Sequence, residues 1–236
     1  MSDLEQLKNE SDWLNCNDPS ALLKYIRTNA SKRKLRLFAV GSCRRVQHLV
    51  IDEAKDAITL AEQYADGEAE VSVRQTTRGN AYMFDWVHPP AFPYEQIAHA
   101  RGCAKQSVCF VLARKGIEAA LKSSYYALFA ATQYSRNIGM ESDLADHTEQ
   151  KYQCDILRDI FRNPFRELAF DPSWRTPEVI NLAMSIYKNQ SYECIPELRE
   201  ALMNAGCGEE AIIQHCQKDV LHVRGCWLID LILEKK

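Results

Sequence analysis

The sequence predicts an all-α protein, a multi-helix bundle of about eight to ten helices. Apolar residues recur at intervals of three and four along most of the chain, which is the spacing of one face of an amphipathic helix. Glycine is scarce, with 9 in 236 residues, and this argues against a fold built on many tight turns. Helix-start signals, in which a capping side chain precedes a proline, occur at Asp18-Pro19 and Thr176-Pro177.

The chain before residue 84 is predicted to form five helices. The third has the clearest pattern, because its apolar residues share one face, and the fourth is capped by Asp52 and ends at Gly67, a residue type that commonly follows a helix. The predicted segments are a short helix around Trp13, then 20–27, a helix from Ser31 to about Leu49, a helix from Asp52 to Gly67, and 68–83.

The rest of the chain is also predicted to be mainly helical. An alanine-rich segment from Gln96 to about Tyr134 predicts one long helix with a bend at Gly116. The short apolar run 226–233 fits either a helix or a buried strand, and it belongs to a region that could form a small C-terminal subdomain. Further helices are predicted at 143–161, from Thr176 onward, at 193–204 and at 209–217.

The segment FDWVHPPAFPY, residues 84–94, interrupts the helical pattern with prolines and aromatic residues. It is the one plausible domain boundary in the chain. We therefore predict a single helical domain, 1–236, and keep a subdivision into 1–83 and 95–236 as the alternative.

The same segment is the best candidate for a recognition surface. Prolines restrict the backbone and so hold aromatic side chains in place at low entropic cost, as in the hot spots of protein–protein interfaces. Trp86, Phe92 and Tyr94 are therefore the predicted partner-binding residues. The competing interpretation is that Trp86 and Phe92 fold back as a lid on the bundle.

Composition and charge place the chain among ordinary globular proteins, with 46% hydrophobic and 26% charged residues. The first residues are polar and acidic, and no apolar run approaches the about 18 residues of a transmembrane helix. The 9 cysteines are odd in number and scattered, as expected for reduced thiols. A formal net charge of −3 gives no general attraction to nucleic acid or anionic lipid. We expect a cytoplasmic protein without a membrane partner, whose oligomeric state the sequence does not define.

Basic residues are concentrated on the third predicted helix, where Arg33, Arg36 and Arg44 lie off the apolar face. Such a cluster can contact phosphates. It is more often a solvated face that pairs with acidic neighbours, here Asp52 and Glu53. Because the whole chain is net acidic, the sequence does not favour nucleic acid as a partner.

Two groups of acidic residues are predicted to have structural roles. The charged residues of 155–162, Asp159 among them, recur at helical spacing, and this favours ion pairs within one helix. Asp230 lies inside an apolar run and must find a partner, for which Arg224 is the candidate.

Several segments resemble a family of uncharacterised bacterial proteins that is abundant in planctomycete genomes. These segments are 13–27, KLRLFAVGSCRRVQHLV (34–50), CDILRDIFRNPFRELAFDPSW (154–174) and GCGEEAIIQHCQKDVLHVRGCWLIDLIL (206–233). The family has similar CCRR, RDIFGNPFRP and HxRGCW stretches in the same order. This chain departs from the family at Ser42-Cys43, where the family tends to have two cysteines. The resemblance implies a shared fold rather than a known activity.

The C-terminal cysteines and histidine have the most specific spacing in the chain. Cys207, Cys216, His222 and Cys226 read C-x8-C-x5-H-x3-C, which has the intervals of a small zinc-finger class with the last two ligand types exchanged. Three thiolates and one imidazole satisfy tetrahedral zinc, and His215 is an alternative donor beside Cys216. The alternative is that the cysteines are buried core thiols and His222 is a hydrogen-bonded loop residue.

The sequence favours binding over catalysis. It has no G-x-S-x-G, Walker A, G-x-G-x-x-G or H-E-x-x-H motif. The first hypothesis is a non-enzymatic cytoplasmic helical module that acts through protein–protein contacts with an unidentified partner. The alternatives are a zinc-stabilised binding protein that uses Cys207–Cys226, with nucleic acid among its ligands, and an enzyme with a distributed site.

Overall fold

The computed structural model describes residues 7–83, 95–217 and 219–236. These residues form twelve α-helices and three short 3-10 helices and contain no β-strand, so the all-α prediction is confirmed. The run 226–233, for which a strand was the alternative, contains a helix. The predicted partner-binding residues Trp86, Phe92 and Tyr94 lie outside the described residues.

The helices are α1 (Glu10–Asn15), α2 (Pro19–Ile26), α3 (Lys32–Arg45), α4 (Asp52–Ala65), α5 (Val71–Met83), α6 (Glu95–Val111), α7 (Gly116–Asn137), α8 (Ser142–Phe161), α9 (Pro177–Asn189), α10 (Ile195–Asn204), α11 (Glu210–His215) and α12 (Trp227–Ile232).

Helix starts follow the capping signals of the sequence at three places. The side chains of Asp18, Ser31 and Thr176 each accept a hydrogen bond from a backbone N–H of the first turn of α2, α3 and α9. Asp52 differs from the prediction, because it is the first residue of α4 and pairs with Lys55 at 2.7 Å instead of capping the helix.

The alanine-rich segment forms two helices, α6 and α7, where the sequence predicted one bent helix. They pack against each other along their length as a hairpin, and Ser107 and Ser123 each donate a hydrogen bond to the other's carbonyl oxygen at 2.8 Å. Gly116 begins α7, and a Cβ there would lie 2.8 Å from the backbone oxygen of Lys32. The glycine therefore permits a close approach to α3 rather than a bend.

Two buried arginines satisfy the carbonyl end of α6. Arg36 donates to the carbonyl oxygens of Val111 at 2.6 Å and Ala113 at 2.7 Å, and Arg74 donates to that of Leu112 at 2.5 Å. Positive charge is favourable here, because helix carbonyls carry the negative end of the helix dipole. Burial lowers the pKa of Arg36 to about 10, so this guanidinium remains charged at neutral pH.

The core centres on α3, where nine consecutive residues from Leu35 to Cys43 are buried. Burial on all sides means that α3 is surrounded by other helices. One hydrophobic cluster joins α3 to α4, α6 and α7, a second joins it to α1, α2 and α8, and a third is built from α9 to α12.

A buried ionic network around Asp66 connects the third cluster to the other two. Arg33 of α3 bonds Asp66 at 2.9 Å and Asp230 of α12 at 2.6 and 2.9 Å. Tyr187 of α9 donates to Asp66 at 2.5 Å, and Arg224 pairs with the same carboxylate at 2.7 Å. The predicted partner of Asp230 was Arg224, but Arg33 takes that place because α3 and α12 meet at this point.

The other arginines of α3 also pair within the protein. Arg44 binds Glu62 of α4 through two hydrogen bonds at 2.8 and 2.7 Å, and Arg45 pairs with Glu149 of α8 at 3.0 Å. The acidic partners of these two arginines are therefore on packed helices, whereas the predicted partner Asp52 pairs with Lys55. The side chain of the other predicted partner, Glu53, lies outside the described part of the protein. Among the described residues, no helix has both the length and the apolar character needed to cross a bilayer.

We expect Arg33→Met to lower the free energy of unfolding by about 3–5 kcal/mol, because it removes the guanidinium that pairs the buried Asp230. Lys55→Met is the matched control, since Lys55 also pairs with an aspartate but on the surface. It should change the free energy by less than about 1 kcal/mol. Urea unfolding of both variants measures this, and equal effects would contradict the structural importance of the network.

The Arg45–Glu149 pair predicts a pH dependence of stability. Glu149 is buried and one of its carboxylate oxygens has no hydrogen-bond partner. Burial raises the pKa of Glu149 from 4.5 to about 7, although the charge of Arg45 opposes this. Because the folded state binds the proton more tightly, the stabilisation is complete below about pH 4.5 and is lost as the pH rises through about 7.

Glu149→Gln should remove this pH dependence. Relative to the parent protein, the variant should gain up to about 3 kcal/mol of unfolding free energy between pH 4.5 and 8. Glu118→Gln, at a partly exposed glutamate that pairs with Lys122, should show no such trend. Urea unfolding across this pH range tests both variants, and parallel curves for Glu149→Gln and the parent would refute the prediction.

Candidate metal centre

Four side chains converge where the end of α8 meets the C-terminal segment. Asp159 lies in the last turn of α8, His215 is the last residue of α11, His222 lies in the following loop, and Cys226 is the residue before α12. Their potential ligand atoms all lie within 4.8 Å of one another. We call this group the D-H-H-C cluster.

Four of the six distances between the ligand atoms of the D-H-H-C cluster are close to the edges of a zinc tetrahedron. Asp159 Oδ1 lies 3.1 Å from His222 Nδ1 and 3.3 Å from His215 Nε2. Cys226 Sγ lies 3.1 Å from His215 Nε2 and 3.7 Å from His222 Nδ1. A tetrahedron with zinc bonds of about 2.0–2.3 Å has edges of about 3.3–3.8 Å. The other two distances, between the two histidines and between Asp159 and Cys226, are within 4.8 Å.

The cluster is shielded from water. The side chains of Asp159, His222 and His215 are 1%, 4% and 11% exposed, and Cys226 is buried. The second oxygen of Asp159 accepts the backbone N–H of Val223 at 2.8 Å, which holds the carboxylate against the loop. All four groups are therefore held in one arrangement by the fold.

The electrostatics of the cluster favour a cation. Burial raises the pKa of Asp159, but hydrogen bonds from His215 and His222 outweigh this and the net pKa is lowered, so that the carboxylate is ionised. Burial and the nearby Asp159 charge raise the pKa of the Cys226 thiol well above its ordinary value. A metal ion in the cluster would favour the thiolate instead, since coordination displaces the thiol proton.

The structure brings together two of the four predicted zinc ligands. His222 and Cys226 belong to the D-H-H-C cluster, whereas Cys207 and Cys216 lie in the hydrophobic cluster of α9 to α12. The physical reason is the direction of helix side chains. Neighbouring residues on a helix point about 100° apart, so His215 faces α8 while Cys216 faces the core. His215, the alternative donor, takes part in the cluster in its place.

Asp159 is the member that sequence reasoning missed. Its spacing favoured an ion pair within α8, but Arg158 makes that pair with Asp155 and also donates to the carbonyl oxygen of Trp13. A signal was present in the pattern, because Asp159 lies three residues after Ile156 and next to Ile160, on the buried side of α8. A carboxylate on an apolar helix face must have a partner.

Aromatic rings cover the two histidines. The Trp227 ring lies 4.6 Å from that of His215, and the Tyr192 ring lies 6.5 Å from that of His222, measured between centroids. Neither His222 Nε2 nor the Tyr192 hydroxyl oxygen has a hydrogen-bond partner in the described part of the protein. In the described part of the protein, the His222 ring thus has a hydrogen-bond partner at Nδ1 and none at Nε2.

Comparison with known proteins adds no relative. No family model, no curated protein and no solved structure matches the chain. The resemblance to the planctomycete family stays a prediction, and the chemistry of the D-H-H-C cluster must be inferred from its own geometry.

Gly225 sets the direction in which the chain enters the cluster. It occupies the third position of a turn closed by a hydrogen bond from the Cys226 N–H to the Val223 oxygen at 3.0 Å, and its φ is +93°. A Cβ at this position would lie 2.8 Å from Leu37 Cδ1 of α3. Both the backbone conformation and the contact with α3 therefore require glycine.

Gly225→Ala should destabilise the protein more than Gly206→Ala does. Gly206 also has a positive φ, +88°, but a Cβ there meets nothing within 4 Å. The control therefore measures the conformational cost alone, about 1–2 kcal/mol, and Gly225→Ala should add at least about 1 kcal/mol for the clash with Leu37. Thermal or urea unfolding measures the difference, and equal losses would show that α3 does not constrain this turn.

Proposed function

We propose that this protein binds one zinc ion through Asp159, His215, His222 and Cys226, and that the ion fastens the C-terminal segment to α8. The observation that supports the proposal is the convergence of four donor groups, of which His215 is half-buried and the other three are buried, with ligand atoms that all lie within 4.8 Å of one another. The protein is then a metal-stabilised helical binding protein.

The donor types select the metal. One thiolate, two imidazoles and one carboxylate are all ligands of zinc, whereas magnesium and calcium prefer sites made of oxygen atoms. The cluster offers four donors, which also disfavours the six-coordinate, octahedral binding of magnesium. Zinc satisfies both the ligand types and the ligand number.

The ligand count indicates a structural role for the metal. Four protein ligands fill a tetrahedral site and leave no position for a reactive water, whereas catalytic zinc sites keep one position open. The ligands come from α8 and from the segment 215–226, which are far apart in the sequence. Zinc binding therefore contributes directly to the folding of the C-terminal region.

A binding role also agrees with the first hypothesis drawn from the sequence, that the protein is non-enzymatic and acts through contacts with a partner. Trp86, Phe92 and Tyr94 remain the predicted contact residues. A zinc-fastened C-terminal region would supply the rigid framework that such a module needs.

Elemental analysis of the untagged protein after extensive dialysis tests the zinc proposal. We expect about one zinc per chain, lost in Cys226→Ser and His222→Ala. Cys216→Ser is the matched control, because Cys216 is equally buried but lies outside the D-H-H-C cluster, and it should retain the metal. Loss of zinc in Cys216→Ser would favour the ligand set predicted from the spacing instead.

Two further measurements make the proposal falsifiable. Removal of zinc by a chelator should lower the melting temperature by about 10 °C, as expected for an ion present at about a thousand times its dissociation constant. Cobalt substitution should give a sulfur-to-metal charge-transfer band with the intensity of one thiolate rather than three. A protein that is free of metal and insensitive to chelators would refute the proposal.

A further inference from the structure

A cleft of about 280 Å³ lies between α1, the segment that follows α8, and α11. Its accessible apolar side chains are Leu14, Leu168 and Val220, which we call the apolar wall, and Arg162 and Arg166 also line it. Pockets for small molecules are mostly apolar, contain a few convergent polar groups and have volumes of about 300–1,000 Å³. The cleft has this character at the lower end of the size range, so it suits a small molecule.

The backbone of Arg162 has a conformation that is almost restricted to glycine. Arg162 is the residue after α8, with a φ of +59° and a ψ of −177°. A side chain at these angles destabilises the folded protein, and residues in such conformations cluster at active sites and ligand-binding positions. An arginine here therefore indicates a role that glycine could not perform.

That role is not a contact within the described part of the protein. There the guanidinium groups of Arg162 and Arg166 make no hydrogen bond and no ion pair. Arg158 in the same cleft differs, because it pairs with Asp155 at 3.0 Å and donates to the carbonyl oxygen of Trp13 at 2.9 Å. Arg162 is half-buried and Arg166 is exposed, so a ligand in the cleft can reach both.

The charges of the cleft fit a ligand with one negative charge. Besides the two unpaired arginines, the lining contains one carboxylate, that of Glu10, which accepts a hydrogen bond from Asn163 Nδ2 at 2.7 Å. Because Arg158 is neutralised by Asp155, the lining has a surplus of one positive charge. A guanidinium group binds a carboxylate through two parallel hydrogen bonds. A dianionic phosphate would exceed the surplus.

We propose that this cleft binds a monocarboxylate with an aliphatic chain, whose carboxylate is held by Arg162 and Arg166 and whose chain lies against the apolar wall. The inference does not depend on the zinc proposal, because it uses none of the donor atoms of the D-H-H-C cluster. His215 also borders the cleft, but its Nε2 faces Asp159 and Cys226.

Isothermal titration calorimetry with the full-length protein tests the ligand class. Octanoate is the probe, because it has both a carboxylate and an aliphatic chain. Acetate lacks the chain and octanol lacks the charge, so each should bind at least about tenfold more weakly than octanoate. Inorganic phosphate should not displace octanoate.

Arg162→Gly separates ligand binding from stability. It should raise the melting temperature by about 2–4 °C, because glycine adopts this backbone conformation without strain. It should also weaken octanoate binding about tenfold or more, because hydrogen bonds between charged groups are lost. An arginine that serves the fold alone would leave the affinity for octanoate unchanged.

Two further arginine variants complete this test. Arg166→Gln changes an exposed side chain of the cleft, so it should weaken octanoate binding while the melting temperature stays unchanged. Arg101→Gln is the matched control, because Arg101 is an exposed arginine of α6 that does not line the cleft. It should bind octanoate like the parent protein.

The apolar wall has a closely matched pair of variants. Leu14 and Leu144 are both leucines of a helix and both are 53% exposed, but only Leu14 lines the cleft. Leu14→Gln should weaken octanoate binding about threefold to tenfold, since part of the chain loses its apolar contact. Leu144→Gln should leave the affinity unchanged.

The outcomes separate this inference from the zinc proposal. Protein that does not bind octanoate, or that binds it equally in Arg162→Gly and Arg101→Gln, refutes the carboxylate site. Octanol that binds as tightly as octanoate refutes the role of the arginines, and phosphate that binds more tightly refutes the assignment to a single charge. Zinc is measured in the same samples, and zinc-free protein that binds octanoate refutes the metal proposal alone.

Discussion

The buried carboxylate of Asp66 is the interaction on which the architecture depends. It receives Arg33 from α3, Tyr187 from α9 and Arg224 from the loop before α12. These elements belong to different hydrophobic clusters, so apolar packing alone does not set their relative positions. Asp66 is the first residue after α4, and its place in the chain therefore fixes where α9 and the C-terminal loop can dock.

Such a network contributes specificity more than stability. Desolvation of several charges is costly, and apolar residues of similar volume can be as stabilising as a buried ion pair. A charge without its partner is much more costly, however, so any arrangement that separates Arg33 from Asp230 is strongly disfavoured. The same reasoning applies to Arg36 and Arg74, whose guanidinium groups fit only the carbonyl end of α6.

The sequence is most informative about local structure. The caps at Asp18, Ser31 and Thr176 are visible because a capping side chain acts on backbone groups a few residues away. The burial of Arg36 is not visible, because periodicity places it off the apolar face of α3 and cannot show that other helices cover that face too. The periodicity of apolar residues predicts that a helix forms, but the packing of the other helices determines which of its faces are buried.

At the candidate metal site too, the sequence predicts contacts between residues that are close in the chain but not contacts made by the packing of distant segments. The short interval between His222 and Cys226 predicts that their side chains are close, and Cys226 Sγ lies 3.7 Å from His222 Nδ1. The intervals to Cys207 and Cys216 gave the separation along the chain but not the direction of each side chain. Asp159 comes from another helix, and only the packing of α8 against the C-terminal segment brings it to the histidines.

The position of the five-residue segment His222–Cys226 is fixed by several contacts with the rest of the protein. His222 and Cys226 belong to the D-H-H-C cluster, Arg224 pairs with Asp66, and Gly225 permits the turn against Leu37 of α3. The ionic network and the glycine position this segment before any ligand binds, so a metal would meet donors that are already arranged. Folding has then already ordered these side chains, so that metal binding costs less conformational entropy and the affinity for the metal is higher. The folding of this one loop therefore connects the core with the candidate metal site.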